Sequence, residues 1–148
     1  TVRKNMETME MFYHDPQTGE LWKSFFPKYT PQDRGPKLLR PEPLPESLEL
    51  QLKNCLTGSE EVDSMGLGIE LSVQPKKWPE IVSLLKKNSS SYRRANFFIF
   101  VKYAGLIHPF SSLQEIGETP ESCGFTRKDL KRIRRQVRFI KFKRFFGF

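Results

Sequence analysis

Between Pro27 and Pro45 the chain places six prolines in nineteen residues, at 27, 31, 36, 41, 43 and 45, and no other stretch restricts the possible folds as much. Each proline fixes φ and lacks the amide donor, so a regular helix is forbidden there and most ladder pairing with it. The stretch is therefore predicted as an extended crossover dividing the chain into a short aromatic head and a longer remainder. Its composition would also suit a ligand for an aromatic groove, but a crossover lying on the surface is the simpler expectation.

The head reads as a β-hairpin. Met11 to His14 and Leu21 to Phe26 are rich in strand-favouring aromatics, and Asp15-Pro16-Gln17-Thr18-Gly19 between them supplies turn chemistry. Asp caps its own turn, Pro presets φ, and Gly takes the positive φ that rejoins the second strand. Residues 1–9, with charges of both signs, are expected to lack order.

After Pro45 the periodicity becomes helical. Leu48, Leu52, Cys55 and Leu56 repeat at three-four spacing until Thr57-Gly58. Ser59-Glu60-Glu61 resembles a helix start, from which Val62, Met65, Ile69 and Ser72 would face inward. Gly66-Leu67-Gly68 lacks the third glycine and the Lys-Ser/Thr of a phosphate loop, so these small residues are expected to allow close helix packing. Trp78, Ile81 or Val82, and Leu85 define the next apolar face, with Lys76, Lys77, Lys86 and Lys87 outside. Tyr92 to Ala104, ending at Gly105, is expected to be a buried helix; its Phe97 to Val101 run also allows a buried strand. His108 is expected to mark a helix end, and 111–116 to form one short helix.

Thr126 to Phe148 holds ten of the 25 basic residues and one acid, Asp129, leaving a near-neutral body. Thr126 with Asp129 suggests a capping box, and Leu130, Ile133, Val137 and Ile140 keep helical spacing. The tail is thus a basic amphipathic helix, with Phe142, Phe145, Phe146 and Phe148 extending beyond its apolar stripe.

At 148 residues the chain suits one domain over 1–148, large enough to bury about 68–70% of its unfolded surface. Thirteen Phe, four Tyr and two Trp make an aromatic-rich core. Cys55 and Cys123 are far apart and are read as free thiols of a reducing, cytoplasmic setting. No apolar run reaches the roughly 18 residues of a membrane span, and Thr1 to Glu10 has no secretory leader pattern.

The catalytic vocabulary is thin. With only His14 and His108 and no metal-ligand spacing, neither a metal nor a cofactor is expected. A metal-free ribonuclease pairing His with a cation remains a third reading. Cations interleaved with Phe in the tail suit RNA, DNA or a ribonucleoprotein, and less well an anionic membrane surface.

Within residues 48–105, the run Asp63-Ser64-Met65-Gly66-Leu67-Gly68-Ile69-Glu70-Leu71-Ser72, followed by Trp78 and a Leu-rich helix, resembles small helical immunity proteins of bacterial toxin or contact-inhibition systems. The resemblance implies a single-domain cytoplasmic protein that neutralises a toxin by stoichiometric binding and has no activity of its own. The net charge of +8 departs from the acidic surfaces of several such families. Together these observations predict an α+β protein, with an amino-terminal hairpin, a Pro-rich crossover over 27–45 and four or five short helices ending in a basic one over 126–148. Its expected role is non-catalytic protein binding, with nucleic-acid binding as the alternative. Arg132, Arg135, Arg138, Tyr13 and Trp22 are the candidate partner-binding residues.

Overall fold

The computed structural model describes residues 3–5, 9–14, 21–27, 35–42 and 47–147. The fold is α+β, and the chain falls into two compact units, Thr1–Glu46 and Ser47–Phe148.

The first unit is an antiparallel four-stranded sheet in the order β1 (Arg3–Asn5), β2 (Glu10–His14), β3 (Leu21–Phe25) and β4 (Leu38–Glu42). Strands β2 and β3 are the predicted hairpin, in a register that sets Tyr13 opposite Trp22 and Met11 opposite Ser24. The predicted turn, Asp15 to Gly19, lies outside the described residues. Two strands depart from expectation. β1 orders part of the segment expected to lack structure, and β4 falls inside the predicted connector, with Pro41 opposite Trp22. β4 is the last strand of the sheet, and an edge position tolerates a proline that cannot donate to a ladder. Of the other connector prolines, those at 31, 43 and 45 lie outside the described residues.

The second unit contains six α-helices: α1 (Leu48–Leu56), α2 (Glu61–Ser72), α3 (Trp78–Asn88), α4 (Arg94–Tyr103), α5 (Pro109–Glu115) and α6 (Arg127–Phe145). Its core is one cluster running from Leu48 to Ile140 and centred on Trp78, Phe97 and Phe100. Ser47 caps α1, its hydroxyl accepting from the Leu50 amide. In α3, Trp78, Ile81, Val82 and Leu85 are buried, the lysines at 76, 77, 86 and 87 are exposed, and Pro79 sits in the first turn. The Phe97 to Val101 run is helical and stops at Gly105, whose φ of 77° suits only glycine without strain.

α2 buries Ile69 and Ser72 as expected, but Val62 is 67% exposed, Met65 is half-buried, and Ser64, Leu67, Gly68 and Leu71 complete the inward side. A Cβ at Gly68 would lie 3.0 Å from the Ala104 amide nitrogen and from the Phe100 carbonyl oxygen, so α2 and α4 approach backbone to backbone. The flanking serines satisfy themselves: Ser64 donates to the Cys55 carbonyl at 2.7 Å and Ser72 to that of Ile69 at 2.6 Å. The residue before the helix is Glu60, which makes no side-chain cap, rather than the predicted Ser59. His108 precedes α5 instead of ending a helix, because Pro109 is well suited to a first helical position.

A buried Asn96 joins α1 to α4. Its amide donates to the carbonyls of Leu56 at 3.3 Å and Gly58 at 2.7 Å, satisfying groups left open at the end of α1, while its oxygen accepts from Arg93 at 3.1 Å. Among the described residues no helix is long and apolar enough to cross a membrane.

Candidate interaction surface

α6 is positioned by a complete capping box. The Thr126 hydroxyl accepts from the Asp129 amide at 3.2 Å, and the Asp129 carboxylate accepts from the Thr126 amide at 2.8 Å. These bonds to the ionised form hold the Asp129 carboxyl below its usual value. Leu130, Ile133, Val137 and Ile140 are buried against the rest of the unit, with α3 as the main neighbour. That inner stripe satisfies the fold and leaves the opposite side free.

The opposite side has its own three-four repeat: Lys128, Lys131, Arg135, Arg138, Phe142 and Phe146 are all exposed. It is basic over its first turns and aromatic over its last. Among the described residues none of these four cations has a carboxylate partner, and Asp129, the helix's sole acid, is occupied by its capping bonds.

This charge arrangement works against the helix itself. Arg127 and Lys128 sit in the first turn, where the dipole favours anions. Lys128 with Arg132, Lys131 with Arg135 and Arg134 with Arg138 are like-charge pairs four residues apart, each costing about 0.2–0.5 kcal/mol. Helix stability therefore cannot be the reason for these cations.

At the far end Phe142, Phe145 and Phe146 are 56%, 61% and 58% exposed. They form one cluster, with ring centroids 4.7 Å apart for Phe142 and Phe146 and 5.2 Å for Phe145 and Phe146. α4 steadies it. The Arg94 guanidinium donates to the Phe145 carbonyl at 3.0 Å and lies 5.5 Å from that ring and 5.9 Å from Phe98. Arg144 in turn donates to the Tyr92 carbonyl at 2.9 Å. The rings are thus exposed on an end of α6 that is pinned. Phe148 lies outside the described residues.

Of the residues predicted from sequence, Arg135 and Arg138 lie on the outer stripe. Arg132 lies beside it, lining a groove of about 510 Å³ with Lys86, Phe125 and Asp129. Tyr13 and Trp22 come together in the first unit, lining with Ser24 and Leu39 an open cleft of about 540 Å³. The Tyr13 hydroxyl donates to the Met11 sulfur at 3.1 Å and accepts from Ser24 at 3.5 Å. Sequence reasoning missed Arg94, because its approach to α6 spans 51 residues of chain and no local pattern encodes it. His14 is exposed at the end of β2, and His108 is exposed before α5.

Compared with known proteins, the chain matches no family model, no curated protein and no solved structure.

Proposed function

We propose that this chain is a non-catalytic protein-binding module that docks through the outer side of α6, acting by stoichiometric binding in the manner of a toxin-neutralising immunity protein. The observation that carries this reading is the pinned, exposed cluster of Phe142, Phe145 and Phe146 at the end of a helix whose core requirement is already met. Three large rings left in water form an apolar patch of the kind that marks a binding site, and aromatic side chains are enriched where partners meet.

Co-expression with the products of neighbouring genes tests the reading. One of them should be toxic by itself, should be neutralised by this chain and should co-elute with it at equimolar ratio. F142S/F146S should abolish both effects; protection that survives the double substitution would refute docking through α6.

Nucleic acid is the second reading, favoured by four cations along one helix side that have no carboxylate partner among the described residues. It predicts steep salt dependence, with a loss on the order of 10³-fold between 50 and 200 mM salt for six or more phosphate contacts.

A further inference from the structure

We infer that the surface α6 recognises is an acidic one enclosing an apolar socket: a peptide or protein segment in which Asp or Glu residues flank a large apolar side chain. This rests on the protein-binding reading above and specifies its partner's chemistry. Cations over the first turns of the outer stripe and rings over its last turns demand a counterpart that is anionic at one end and apolar at the other. Among the described residues the charge has no counterpart, since the only acid on α6 is tied to Thr126 and none of the outer-stripe cations meets a carboxylate there. Opposite charge on a partner would remove the like-charge repulsion between Lys131 and Arg135 that the free helix carries.

The ring geometry favours a peptide over the other polyanions. Stacked bases need open ring faces, but Phe142, Phe145 and Phe146 tilt against one another at 49° and 79°, and the Arg94 guanidinium lies over Phe145. They make a compact knob rather than a series of platforms. An anionic bilayer would need an apolar side running along the helix, whereas Lys128, Lys131, Arg135 and Arg138 interrupt the outer side before Phe142, with Phe139 the one exposed ring among them.

Panning the full chain against a displayed library of random peptides tests the inference, with recovered peptides assayed by fluorescence anisotropy. The expected peptides combine several Asp or Glu with Trp, Leu or Phe. R135E/R138E should weaken them by about tenfold or more and flatten the salt dependence, while F142S/F146S should weaken them as much with the salt dependence retained. Because the substituted side chains are exposed, F142S/F146S should unfold close to the wild-type denaturant midpoint, and R135E/R138E at or above it, since it replaces two like-charge pairs with opposite-charge ones. Peptides that are apolar without acids, insensitive to R135E/R138E yet lost in F142S/F146S, would overturn the partner chemistry and leave docking through α6 standing. Recovery of no peptide that either variant affects would overturn both. Tighter binding to a twenty-nucleotide single-stranded RNA, or co-sedimentation with vesicles containing 30% phosphatidylserine, would overturn the inference in favour of those polyanions.

Discussion

Single side chains hold the helical unit together at two points where apolar burial cannot. Asn96 closes the end of α1 with its two donated bonds, and it is fully buried. Asn96→Ala removes the donor to the Gly58 carbonyl and one of the two donors to the Leu56 carbonyl, which keeps the Arg93 amide, and should cost about 1–2 kcal/mol, read from the denaturant midpoint. Gly68 is the second point. Gly68→Ala places a methyl 3.0 Å from the α4 backbone, so the helices must separate, at a cost of about 1–3 kcal/mol. Cys55 adds a pH dependence. Burial, with the charge of Asp63 second, pushes its thiol up to about 11 from an ordinary value near 9. The folded chain then holds the proton that the unfolded chain releases, so stability is full below about 9 and declines as the pH rises toward about 11. Cys55→Ala should flatten that decline relative to wild type in urea melts taken across this range.

The elements differ in how plainly the sequence announces them. α3 and α6 were legible because their buried residues are large and apolar at helical spacing, and Trp78, Ile81, Leu85, Leu130 and Val137 sit where the pattern puts them. α2 was legible as a helix, and in its facing only at Ile69 and Ser72. A pattern that counts large apolar residues chooses Val62, while the contact is made by Ser64 and Gly68, whose merit is their smallness. β4 was hidden by its proline, since the sequence does not show that a strand will be at an edge. The outer side of α6 was readable in its charges, yet its pinning by Arg94 was not. For α6 the capping box sets the start. Thr126→Ala should cost about 1 kcal/mol and lower the helical circular-dichroism signal. Asp129 also makes this start acid-sensitive. Its carboxyl is held below the ordinary value, so its contribution is present above that value and is lost as the pH falls through the lowered one. Asp129→Asn should remove this part of the acid response.

For the molecule as a whole, the helical core among the described residues runs from Leu48 to Ile140, all of them in the second unit. Residues 47–148 expressed alone should therefore unfold in one cooperative transition, monitored by circular dichroism. Residues 1–46 alone should show none, because a chain near 40 residues rarely buries enough surface to fold without a staple. Loss of cooperativity in the longer piece would mean that its core is incomplete without the sheet.

The separation of duties on α6 has a consequence for how such a protein can change. Leu130, Ile133, Val137 and Ile140 settle the helix in its unit without involving the exposed residues at 128, 131, 135, 138, 142 and 146. The outer residues are therefore free to be rewritten. On the docking role proposed for α6, a lineage can exchange the letters at 128, 131, 135, 138, 142 and 146 and acquire a new addressee while the scaffold stays as it was, and a designer can do the same, treating the outer stripe as a cassette on a fixed frame.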